Sequence, residues 1–575
     1  MKRDQAARLF AFCVALATCL FSTLPAESAH LANANKRGLH ARSFEDILRY
    51  RDDQIDIGTA ALIISEEWSD GVSGLHYRAQ LDEMAQEILR RLKEKNLRPN
   101  FKAIPIINHY LFEELGFSAV PNADNPDDLF LHSVLDKRKG YCLSLSILYL
   151  ALAERVGLPV CGVVVPGHFF VRYDSRAVRL NIETTAKGGK ASDQHYITTR
   201  NVPADEYHSL YMKNLTEMET LGCLLNNLGV VYMDAGQHRK ALTALDRAVQ
   251  INPMLSESRA NMGTIYLRRG EVREAIIQFK GALEINPNDH IVHYNLGYSY
   301  AQLDQLAPAQ SHLARSLELD SSYANAYSQL AQVLSRRGLH QKAKLLLEEA
   351  TDLFPDNADF YFDMAGIYQA CGNSDRALRL FRKTLSMDGS HIPALYAQGT
   401  CYEELGNTRE AMKSYQRMLA LDPDNQQASF ALALCYNKLG DHHAEIKAYR
   451  RILTTDPSLY AALINLASAY TVIEDYASAV HVYSQALAVD DGDPRLSYYL
   501  GAAYIELDEV DTAIDHFKKA LAQDASLGDA HFALAVTYYN RGDYRIAWTH
   551  LKRAKQLGVE VKQDLYSTIA SAAGQ

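Results

Sequence analysis

The sequence has no CxxC pair, no Cys and His at metal-ligand spacing, no dense tract of Lys or Arg, and no run of about eighteen uninterrupted apolar residues. The first two absences leave a zinc site without support, and nothing else in the chain calls for a metal or a cofactor. The third gives no reason to expect nucleic acid or an acidic membrane surface as partner, in line with a net charge of −10. The fourth leaves no ordinary transmembrane helix. Eight cysteines in 575 residues are also too sparse for a disulfide scaffold. What remains, 48% hydrophobic and 22% charged, is a globular chain too long for one core, with protein or peptide the expected partner.

Residues 1–29 read as an export signal. Lys2, Arg3 and Arg8 form a basic start, Leu9 to Leu20 is an apolar run too short to span a bilayer, and Ala26-Glu27-Ser28 offers a small-x-small cleavage site. The expected location is the periplasm or cell envelope of a bacterium. Leu16-Ala17-Thr18-Cys19 resembles a lipoprotein box, although Thr before the Cys is unusual. Cleavage removes Cys13 and Cys19 and leaves Cys142, Cys161, Cys223, Cys371, Cys401 and Cys435.

His30 to Arg42 has a linker's composition, and Ser43 to Leu115 a helical pattern; Tyr77 to Lys95 places Leu81, Met84, Ala85, Ile88, Leu89 and Leu92 on one face. These helices need a surface to cover, and the expected surface is the next helix, Leu143 to Val156. It is apolar nearly all round, has no Gly or Pro, and stops at Gly157 before Pro159. Cys142 falls in its first turn, where free N–H groups and the helix dipole favour a thiolate. Val160–Val165, His168–Tyr173 and Val178–Glu183 read as strands, with Pro166-Gly167 and Asp174-Ser175-Arg176 as turns. If the last two pair with residue 173 opposite 178, His168 stands directly opposite Glu183. A carboxylate there orients an imidazole, and a Cys nucleophile needs such a base. The expected site is the triad Cys142, His168 and Glu183, weighed against a buried structural Cys.

The arrangement resembles the transglutaminase-like cysteine superfamily, in a bacterial branch with a helical lead-in, over about Ser43 to Gly189. There a Cys opens a helix, a Gly-His pair opens a strand, and an acid followed by small polar residues ends the next; here these are Cys142, Gly167-His168 and Glu183-Thr184. Glu stands where Asp is usual. The resemblance implies a papain-like α+β domain, placed at 43–215, and acyl transfer or amide hydrolysis through a thioester.

From Gly222 to Val561 a 34-residue period repeats ten times without an insertion. Tyr232, Tyr266, Tyr300, Tyr368, Tyr402, Tyr436, Tyr470, Tyr504 and Tyr538 mark one phase, with Leu334 the exception. Gly or Ala lies three places earlier, and Ala nine places later in every unit except one, where Glu445 puts a charge at a crowded position and predicts a looser seventh unit. The pattern resembles the tetratricopeptide repeat, a pair of antiparallel helices per unit stacked into an all-α superhelical solenoid. Residues 562–575 are expected to close it with a capping helix. The fifth residue of six units is aromatic: Tyr294, Phe362, Tyr396, Phe430, Tyr498 and Phe532. Such a ladder either lines a peptide-binding groove or packs between repeats. Two functions follow: an exported cysteine enzyme whose repeats position a protein substrate, or a repeat scaffold carrying a relic of the catalytic domain.

Overall fold

The computed structural model describes residues 41–69, 71–121, 125–202 and 211–575; the expected export signal and lipoprotein-like box lie outside them. The chain divides into two compact units, the first ending at Ala326 and the second beginning at Tyr327. In the first unit, helices α1 (Phe44–Ile47), α2 (Ile57–Trp68), α3 (Gly74–Glu94), α4 (Ile104–Asn108) and α5 (Leu131–Lys137) precede the central helix α6 (Cys142–Val156). Short strands β1 (Ser118–Ala119) and β2 (Lys139–Gly140) pair in parallel. Strands β3 (Val160–Val165), β4 (His168–Asp174) and β5 (Arg179–Ile182) form an antiparallel sheet in that order, followed by α7 (Asp193–Thr199).

Helix α6 is buried at every residue except Glu154. An all-round apolar helix must be enclosed, and α2, α3, α5 and β4 enclose it. The one long charged side chain it takes inside, Arg155, pairs with Asp56 at 3.0 Å and Asp82 at 2.7 Å. Its start is fixed by Ser144, whose hydroxyl donates to the Asp128 carbonyl (2.6 Å) while accepting from the Tyr141 N–H (2.9 Å). Its end is Gly157, left-handed at φ 81°, which closes the last turn without the strain a Cβ would bring.

The β4–β5 register departs from the expected one. Asp174 faces Arg179 and Val171 faces Ile182, so every pair is displaced by two residues from the pattern that set 173 opposite 178. Ser175 and Val178 close the loop on each other, the Ser175 N–H donating to the Val178 carbonyl and the Val178 N–H to the Ser175 hydroxyl. Asp174 and Arg179 clamp its base at 2.9 Å. A slip of two, unlike a slip of one, leaves each side chain on its original face. His168 and Glu183 therefore share a face as expected, but diagonally, beyond the last paired rung.

Ten helix pairs follow the predicted period. The first is Glu217–Asp234 with His238–Ile251 and the last Gly528–Arg541 with Tyr544–Gln556, and a closing helix, Gln563–Ala572, comes after. Ala241, Ala275, Ala309, Ala343, Ala377, Ala411, Ala479, Ala513 and Ala547 are all fully buried. The small residue on the facing helix is equally constrained: a Cβ on Gly399 would overlap the Tyr415 ring. Glu445 finds partners inside the seventh pair. Its carboxylate accepts from the Asn437 amide at 3.1 and 3.2 Å and lies 2.9 Å from His442 Nδ1, so the buried charge is satisfied by its own repeat.

Within the first unit the sequence boundary near residue 220 is not a boundary in packing. One apolar core runs from Phe44 through α6 to Ile265. Trp68 stacks on Tyr232 at 5.4 Å, and Arg247 pairs with Glu67 while lying 4.6 Å over Phe44. The α/β domain and the first repeats are one folding surface.

Candidate active site

Three elements meet at Cys142. Helix α6 presents it in the first turn, the Pro166-Gly167 turn delivers His168 as the first residue of β4, and the chain leaving β5 supplies Glu183. Gly167 takes φ 66°, which a side chain would resist, so Gly is what lets a two-residue turn place His168 immediately after it. Thr184 joins the far side: its hydroxyl lies 3.0 Å from Ser146 Oγ and 3.5 Å from the Cys142 carbonyl, locking the end of β5 to the start of α6.

The structure brings the three predicted residues together. His168 Nε2 lies 2.7 Å from Glu183 Oε2, which leaves Nδ1 for the thiol side. Burial disfavours the imidazolium, but hydrogen bonds with Cys142 and Glu183, and their charges, outweigh it and push His168 up to about 9. Glu183 shows the same contest in reverse: burial works against its charge, and hydrogen bonds from His168 and Thr185 hold it down to about 2. Cys142 is 5% exposed and lines a cavity of about 230 Å³ together with Gly167 and His168. The N–H groups of the first turn of α6, which have no helical acceptor, are set beside it. Cys161, by contrast, is pushed up to about 12 by burial. No group of three or more His, Cys, Asp or Glu among the described residues is placed to hold a metal.

The acid is held more firmly than its sequence predicts. Thr185 donates to Glu183 Oε1 through both N–H (3.1 Å) and hydroxyl (2.5 Å), and the Tyr196 hydroxyl donates to Oε2 at 2.9 Å. Tyr196 stacks on Phe170 at 3.9 Å with rings 3° from parallel, so its hydroxyl has little freedom. Helix α7, which carries it, is anchored by Arg172. That guanidinium, 1% exposed in mid-strand, donates to Asn181, Met212, Asn214 and Asp193. No local pattern marks Tyr196; the signal for Arg172 was a charge between Val171 and Tyr173, where an apolar residue is the rule.

The six aromatic groove candidates are half-buried. In the first unit Tyr294 meets Tyr323 edge-on at 5.2 Å. In the second, Phe362, Tyr396, Phe430 and Tyr498 rest on Phe381, Tyr415, Tyr449 and Phe517, the second-helix rings of their own repeats, at 5.5 to 5.9 Å. Phe532 packs at the edge of the last apolar cluster. Each ring is therefore anchored on one side and partly open on the other.

Comparisons with known proteins agree with this division. Residues 75–210 match the model of the transglutaminase-like superfamily. Residues 223–254, 263–304, 291–323, 334–401, 396–459 and 464–528 match models of tetratricopeptide repeats. A UPF0162 protein of Xylella fastidiosa is 28% identical over 212 residues, 35% of this chain and 73% of the relative. Another, from Pseudomonas aeruginosa, is 26% identical over 196 residues, 34% of this chain and 72% of its own. Among solved structures, YrrB, described as a tetratricopeptide protein with an unusual peptide-binding site, aligns at 22% identity and a TM-score of 0.29, over 31% of this chain and 91% of its own.

Proposed function

Since this chain joins a transglutaminase-like domain to tetratricopeptide repeats, we propose that it is an exported cysteine enzyme that transfers or hydrolyses an acyl group. The repeats bind and position its protein substrate in the periplasm or cell envelope. The observation that carries the reading is His168 lining one cavity with Cys142 while it bonds, at 2.7 Å, a Glu183 held by four donors. The Cys142 thiolate attacks an amide carbonyl carbon, and the N–H groups at the start of α6 stabilise the oxyanion. As the C–N bond breaks, the His168 imidazolium gives its proton to the leaving amine, and a thioester remains. Water or a second amine then attacks the thioester and passes a proton to His168. The C–S bond breaks, restoring the thiolate and imidazolium. Glu183 keeps His168 oriented throughout and stabilises its charged form before acylation and after deacylation.

The test is the rate of Cys142 alkylation by iodoacetamide against pH, read by peptide mass spectrometry beside Cys161. Cys142 is expected to react well below the pH of a free thiol, near 8.5, and to lose that advantage in His168→Ala. A Cys142 no faster than Cys161 and indifferent to His168 overturns the catalytic reading. The low exposure of Cys142 favours the second reading, a scaffold whose first domain is a structural relic, and that outcome would establish it.

A further inference from the structure

The cavity beside Cys142 has two walls of different origin. One is the α/β domain; the other is the repeats, through Asn226 and Asn227 on the helix Glu217–Asp234 and Leu255 and Glu257 at the start of Ser256–Arg268. An acidic residue in a first helical turn is ordinary where it faces water. Glu257 faces the cavity instead. No Lys, Arg or His pairs with it among the described residues, and the side-chain partner it has is the adjoining Ser256 hydroxyl at 3.4 Å. Burial, with Asp289 nearby, raises its carboxyl above the usual range, as expected of a half-buried carboxylate with no counter-charge beside it. Among the cavity's lining residues the one base, His168, is already committed to Glu183. Asn226 is committed too, its carbonyl oxygen accepting from Ser258 at 3.0 Å and Asn261 at 3.1 Å, which fixes the orientation of that wall.

We propose that Glu257 is a specificity residue contributed by the repeats, and that it receives a cationic substrate group, an ammonium or guanidinium, brought into the cavity beside Cys142. This rests on the cysteine-enzyme reading, and it names the substrate class: lysine- or arginine-bearing polypeptide. The cavity is on the order of 8 Å across, its volume taken as a sphere, so a carboxylate on its wall acts on whatever reaches the sulfur. An incoming cation also restores what burial removed from Glu257, a partner for its charge. The repeats would then select substrate at the reacting centre as well as along their own surface.

The experiment uses the full chain and three alkylating agents at Cys142: cationic 2-bromoethylamine, anionic iodoacetate, and neutral iodoacetamide as the reference that divides out general changes in the thiol. Glu257→Gln is expected to lower the cation-to-anion rate ratio roughly tenfold, the scale of one charge at this range. Glu257→Asp restores most of it, and Glu274→Gln, at an exposed site, leaves it unchanged. In parallel, Gly-Lys-Gly but not Gly-Glu-Gly protects Cys142 from iodoacetamide; protection by putrescine alone would instead assign the site to a free polyamine and overturn the polypeptide class. Fast neutral alkylation with an unchanged ratio in Glu257→Gln overturns the role of Glu257 while sparing the catalytic reading. Slow neutral alkylation in the wild type overturns both.

Discussion

Replacing Glu183 by Gln keeps the shape of the acid and removes its charge, which isolates what holds the imidazolium. In the folded protein His168 stands at about 9 against an ordinary 6.5, and Glu183 at about 2 against 4.5. Either gap corresponds to roughly 3 kcal/mol, and both largely describe one interaction seen from its two ends. Burial opposes the imidazolium, so once Glu183 is neutral only Cys142 supports it. His168 in Glu183→Gln is expected to titrate at least a unit lower, and below 6.5 when Cys142→Ser is added. The sign for stability follows. A raised histidine pKa adds stability that is fully present below about 6.5 and fades as pH rises through about 9. The depressed carboxylate adds stability present above 4.5 and lost as pH falls towards 2. The wild-type site is thus most stable between those limits, and Glu183→Gln flattens the dependence at both ends. Histidine-selective NMR, with the His168 signal assigned by His168→Ala, reads the titration directly. A His168 that still titrates near 9 in Glu183→Gln would refute the assignment of Glu183 as its partner.

Three further outcomes are expected. Tyr196→Phe keeps the stacking on Phe170 but removes one donor to Glu183, costing about 1–2 kcal/mol in urea unfolding and slowing Cys142 alkylation several-fold at pH 7. Arg172→Met removes the hydrogen bonds that tie β4 to Asn181, Met212, Asn214 and Asp193, a loss of about 2–4 kcal/mol, read as a fall in the melting transition of the first unit. Ala411→Leu forces a larger side chain into a fully closed helix–helix contact and is expected to destabilise the second unit by about 1–3 kcal/mol, with the alkylation of Cys142 unaltered.

The repeats were legible because one short contact recurs: a small residue, a ring and an alanine at fixed phase describe each pair without reference to anything distant. The residues proposed as nucleophile, base and acid were legible for another reason. Cys142 begins a helix, and His168 and Glu183 flank strands, so local signals placed all three even though the expected strand register was off by two. Alternation of faces forgave that error; a slip of one would have separated base from acid. What could not be read were contacts between segments remote in sequence. Tyr196 reaches Glu183 because Arg172 anchors its helix, and Glu257 reaches the cavity because the repeats pack on the α/β domain. Glu445 looked like a defect since its remedy, Asn437 and His442, comes from side chains that the repeat pattern leaves unspecified.

The exact 34-residue spacing carries a consequence for how such a chain can change over time. A duplication or loss of one whole period leaves the remaining pairs intact, because the closed contact between small residue and alanine is made within each pair that carries it. In the first unit, the residues that enclose the sulfur end with the opening turn of the second pair, at Glu257. Everything beyond is free to lengthen or shorten in whole steps while the pocket stays as it is. Reach is inherited in one currency and chemistry in another.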